Sequence, residues 1–145
     1  MKSTCSALVF LFISAFATTP AFAQEPKFIK PYLEVQTLLA RDTIEGLAAP
    51  SASLEAALKT DRQKIALKPA QELRTAKSLT EAREKFLALS KAILPWARKH
   101  KVKGVILAYC PMKPGHWLQK EGDLRNPYYG AEMLECGVVQ ETGKK

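Results

Sequence analysis

Phe28, Tyr32, Val35 and Leu39 recur at intervals of four, three and four, which lays them along one stripe of a helix. A first helix is predicted there. Asp42 and Glu45 have the spacing of a capping pair, so a second helix is expected to begin at that point, with Gly46 and Pro50 interrupting it. Ser51 or Ser53 restarts the helix, placing Leu54, Ala57, Leu58 and Ile65 on its inner face and Asp61, Arg62 and Lys64 outside. Pro69 is expected to open a short helical piece. Ser78-Leu79-Thr80-Glu81 is a capping box, and Leu79, Ala82, Phe86, Leu89 and Ile93 repeat every three or four residues after it. Pro95 is expected to kink or end that helix, although Trp96 and Ala97 carry the stripe toward His100.

The pattern changes at Gly104. Val105-Ile106-Leu107-Ala108-Tyr109 reads as a short β-segment, and Cys136-Gly137-Val138-Val139 is the run that suits it as a partner. Antiparallel pairing with Cys110 opposite Cys136 also sets Ala108 opposite Val138 and Leu107 opposite Val139. Pro111, Pro114-Gly115, Asn126-Pro127 and Gly130 mark the stretch between them as rich in turns. The expected fold is mainly α: a small antiparallel helical bundle followed by a short two-stranded β-ribbon with a Cys/Met-bearing loop. Helices occupy about 27–100 and the Cys/Met signature 104–140.

The N-terminus has the order of a secretory leader. Lys2 is a positive n-region, residues 7–17 are apolar, and Ala21-Phe22-Ala23 offers the small residues of a cleavage site. Residues 1–23 are read as a signal peptide and 24–145 as a single periplasmic domain, with no membrane span after cleavage. The 145 residues suit one domain, and the formal charge of +8 falls by one when Lys2 is lost. In an exported protein that charge points to anionic surfaces, acidic partners or nothing beyond solubility, rather than to nucleic acid. Its densest run, Arg98-Lys99-His100-Lys101 with Lys103, follows a helical pattern and is read as a solvated helix C-terminus, where the macrodipole favours cations.

Export changes what the cysteines mean, because disulfides persist outside the cytosol. Cys110 and Cys136 both follow the leader. One reading joins them in a structural disulfide, whose closure contributes roughly 3 to 4 kcal/mol, with Met112 and Met133 as gap-filling core residues. The other makes Cys110, Met112, Met133 and Cys136 a soft-metal set for Cu(I) or Ag(I). Cys110 and Met112 share a side if the chain stays extended, and Met133 and Cys136 lie one helical turn apart. His116 is an auxiliary ligand, and Trp117 beside it would exclude water. The chain carries no G-x-S-x-G, H-E-x-x-H, P-loop or C-x-x-C-H pattern, so an enzyme is not expected.

Tyr109-Cys110-Pro111-Met112, Trp117-Leu118, Asn126-Pro127-Tyr128-Tyr129-Gly130 and Met133-Leu134-x-Cys136-Gly137 resemble one periplasmic family. It is the domain of unknown function found alone and fused to the adaptor subunits of copper and silver efflux systems. The likeness extends upstream through Tyr32-Leu33 to Asp42 and through Arg83, Phe86 and Ser90. It implies a periplasmic helical domain concerned with copper or heavy-metal resistance, partnered by an efflux adaptor or another periplasmic copper protein. It assigns no ligands. The competing reading is a disulfide-stapled, non-metal interaction or scaffold domain of the cell envelope.

Overall fold

The computed structural model describes residues 25–142, so the leader reading lies outside the described residues. α1 spans Ile29–Ala40, and its stripe is the expected one: Phe28, Tyr32, Val35 and Leu39 have no exposed surface. Burial of that kind contributes roughly 1.5 to 3 kcal/mol per large side chain. The helix ends where Asp42 takes a left-handed φ of 57°. Asp42 caps no helix. Thr43 receives the amide of Glu45 in a local turn, and α2 begins only at Ala48 and runs to Thr60. Pro50 does not interrupt it, because it sits in the first turn, where its missing N–H has no partner to lose.

A second left-handed residue, Arg62, reverses the chain before α3, Lys64–Arg74. That reversal resets the helical phase. Ala66, Ala70 and Leu73 face inward, whereas Ile65, expected on the inner face as a continuation of α2, is 81% exposed. Pro69 falls inside α3 rather than at its start, and the carbonyl it orphans belongs to that same exposed Ile65, within reach of water. α4, Leu79–Lys99, opens on the anticipated box: Ser78 Oγ accepts from Glu81 N at 3.1 Å, and Glu81 Oε2 accepts from Lys77 N at 2.9 Å. It continues through Pro95 because the carbonyl freed four residues earlier, on exposed Lys91, faces solvent.

The strand region departs from expectation. β1 (Val105–Cys110), β2 (Gly115–Lys120) and β3 (Val138–Gln140) form a three-stranded antiparallel sheet in the order β2-β1-β3. The protein is therefore a mixed α/β fold, not a mainly α bundle with a two-stranded ribbon. β2 escapes the sequence pattern because its alternation is masked. Trp117, Leu118 and Gln119 are all buried, so one polar residue reads as surface while both faces are covered.

α1 and α4 pack against β2, and two tyrosines seal its outer edge. Leu118 N donates to Tyr32 Oη at 3.3 Å, and Tyr128 Oη donates to the carbonyl of His116. Ser90 completes the first contact, 2.7 Å from Tyr32 Oη. Burial pushes the ionisation of both phenols up, which keeps their protons in place. An edge strand occupied in this way offers no template to another chain. Among the described residues no helix is long and apolar enough to cross a membrane.

Candidate functional site

The sulfur-bearing residues gather at one end of the sheet, where β1 turns into β2 and β3 begins. Residues 111–114 make the turn, and Gly115 is required at its exit: a Cβ there would lie 2.5 Å from Leu87 Cδ1 and 3.0 Å from the Tyr128 ring. The turn parts the first two sulfurs. Cys110 is wholly buried, with Lys113 N 3.4 Å from its Sγ, whereas Met112 is 64% exposed at the tip. The chain does not stay extended, so Cys110 and Met112 do not share a side. Nor is Met112 a core filler.

β3 pairs one residue out of the anticipated register. Ala108 faces Val139 and Tyr109 faces Val138, and one step further this alignment brings Gly137, not Cys136, against Cys110. Two contacts enforce the shift. A Cβ at position 137 would come within 2.8 Å of the Trp117 ring, so only glycine fits on that face. The Cys136 carbonyl accepts from Asn126 Nδ2 at 2.8 Å, which fixes the residue before it. The apolar matching that favoured the other register has no force, because Val138 and Val139 are 52% and 58% exposed. No disulfide joins the cysteines; Cys110 and Cys136 are free thiols.

Met133 and Cys136 are brought together by a tight turn, with Cys136 N donating to Met133 O at 3.1 Å after the short 3₁₀ segment Gly130–Glu132. Both are half-buried. His116 stands opposite Tyr109, their ring centroids 4.7 Å apart, and so on the sheet face opposite to Cys110 and Trp117. Its Nε2 is buried without a hydrogen-bond partner. Desolvation lowers its pKa, with a smaller contribution from Arg98 and a hydrogen bond to Gln140 working against the shift. Trp117, expected to shield His116, instead covers the Cys110 face.

Several of the signature residues hold the 121–137 loop in place. Asn126, fully buried, accepts from Tyr128 N at 2.9 Å while clasping Cys136, and its own amide donates to Leu134 O at 2.7 Å. Arg83 donates to the carbonyls of Pro127 and Leu39 and pairs with Asp42. Asp42 in turn receives Ala131 N at 2.9 Å, and that amide with Arg83 holds its carboxyl below the usual range. Gly130, at φ 58°, leaves no room for a Cβ beside this pair. Buried Gln119 accepts from both Trp117 Nε1 and Arg125 N at 2.9 Å. Sequence reasoning missed this latch; an acid and an arginine 41 residues apart give no local signal.

Donor chemistry at this end is soft. Among the described residues, no three His, Cys, Asp or Glu side chains converge on a position that could hold a metal ion. The chain matches no protein-family model, no curated protein and no solved structure.

Proposed function

We propose that this is an exported domain that handles a soft monovalent metal ion, Cu(I) or Ag(I), through Cys110 and Cys136 with Met112 and Met133 as thioether donors. The observation that carries the reading is the state of the sulfurs. Cys110 and Cys136 are free thiols at the same sheet end and Met112 beside them is 64% exposed, so no disulfide staple uses the thiols and core packing does not account for Met112. Thiolate and thioether donors favour Cu(I) and Ag(I) over ions that want oxygen. The signature residues 109–112 and 133–137 support the same reading through their likeness to a copper-associated periplasmic family.

A bound ion would gain its strongest bonds from the thiolates, and loading would release their protons. Met112, already in solvent, is placed to make first contact, while Cys110 requires the 111–114 turn to open. His116 faces away and is at most an auxiliary donor. Export supplies the setting, since the n-region, apolar stretch and Ala21-Phe22-Ala23 site direct the chain to the periplasm.

Titration of Cu(I) against a competing chelator tests this, using the wild type, Cys110→Ser, Cys136→Ser and a Met112→Leu, Met133→Leu double variant. Each cysteine variant should lose more affinity than the double methionine variant, in which leucine preserves volume and apolarity. Equal, weak binding by all four proteins would overturn the proposal.

A further inference from the structure

The chain leaves α4 through its densest cationic stretch. Arg98, Lys99, His100, Lys101 and Lys103 are all exposed. Among the described residues, no ion pair involves Arg98, Lys99, Lys101 or Lys103. Arg98 and Lys99 lie in the last helical turn, where the macrodipole stabilises cations. Lys101 and Lys103 lie beyond the helix end, so the dipole does not account for them.

The stretch is displayed from a rigid base. The His100 ring stacks on Trp96, with centroids 4.7 Å apart and planes 7° from parallel, and its Nδ1 lies 2.8 Å from the Trp96 carbonyl. Trp96 meets fully buried Phe28 edge-on at 4.9 Å. Between this aromatic stack and the start of the described chain lies a concavity of about 530 Å³, lined by Pro26, Trp96, His100, Lys101 and Lys103, with Glu25 as its one acid.

We propose that this concavity docks an acidic segment of a partner protein, with carboxylates on Lys101 and Lys103 and the segment's backbone along Pro26 and Trp96. Exposed ion pairs contribute only about 0.2 to 1 kcal/mol each, so a useful site needs several cations acting together on a shaped surface. This one has both. An anionic membrane fits it less well. Among the described residues the exposed large apolar side chains are Ile65, Met112, Val138 and Val139, none of them in this stretch, so none of these stands ready to insert here. A flat bilayer also cannot follow a concave wall. The inference does not depend on metal binding.

The probe is a fluorescent oligoglutamate peptide, followed by anisotropy, with phosphatidylglycerol vesicles as the alternative ligand. Lys101→Glu with Lys103→Glu should weaken peptide binding at least about tenfold, while the same charge change at exposed Lys64 and Lys91 should weaken it less than about twofold. Binding should fade as salt rises from about 0.05 to 0.5 M and the screening length contracts. Thermal unfolding shows whether each variant is folded. Equal weakening by the two double variants would mean that net charge alone acts and would overturn the site. Absence of saturable peptide binding would do the same, as would binding to the vesicles alone.

Discussion

Asn126→Ala removes the side chain that ties the 121–137 loop to the start of β3. The residue is wholly buried; its Nδ2 donates to Cys136 O at 2.8 Å and its Oδ1 accepts from Tyr128 N at 2.9 Å. Truncation leaves both backbone groups without these partners, Tyr128 N in the interior and Cys136 O at a half-buried residue. Each such orphan costs about 1 to 3 kcal/mol, so the pair should remove roughly 2 to 6 kcal/mol. Against a total stability of about 5 to 15 kcal/mol that loss is large, and at about 3 to 5 °C per kcal/mol the midpoint should fall by some 10 °C. Asn126→Asp should be nearly as harmful, because it keeps the acceptor for Tyr128 N but turns an oxygen toward the Cys136 carbonyl. The assay pairs urea unfolding, followed by far-ultraviolet circular dichroism, with alkylation of Cys136 in native buffer. Alkylation should accelerate while helical ellipticity in water stays unchanged, since the clasp lies outside the four helices. A loss below about 1 kcal/mol, or no change in Cys136 reactivity, would show that the clasp does not fix this loop.

Gly130→Ala should cost at least about 1 kcal/mol more than Gly104→Ala, because both positions have positive φ but only at 130 does a Cβ meet the Asp42–Arg83 pair; denaturant midpoints of the two variants give the comparison. Stability should decline as pH falls from 7.5 toward 5. Burial favours the neutral His116 ring, so its contribution is complete above the unfolded value near 6.5 and is lost as the unfolded state takes up protons below it. A Tm scan over that range, which stays above the window of the depressed Asp42, should flatten in His116→Gln; an unchanged slope would refute the assignment.

Local signals in the sequence were enough for the elements that local forces make. The stripe Phe28, Tyr32, Val35 and Leu39 and the Ser78–Glu81 box each act within a few residues, and both are found as the periodicity and capping chemistry require. The sulfur residues at the sheet end were also visible as residue types, and so were Asn126, Tyr128 and Gly130 as part of a signature. Their work was not visible. Asp42 has the spacing of a capping residue and serves instead as the partner of Arg83, because α1 ends in a left-handed turn that aims its carboxylate across the molecule.

What the tertiary structure alone decided is the phase of α3, the existence of β2 and the register of β3. Ile65 lost its inward place to a reversal at Arg62, and β2 became a strand because helices and two tyrosine hydroxyls cover it. The β3 register turned on two contacts, the space beneath the Trp117 ring that admits Gly137 and nothing larger, and the Asn126 clasp on the Cys136 carbonyl. Pattern matching weighs apolar pairs by their burial, and here the pairs it matched are exposed while one deciding contact is a glycine with no side chain to count. Together the two contacts keep Cys110 and Cys136 from facing each other, by packing that the linear sequence does not display.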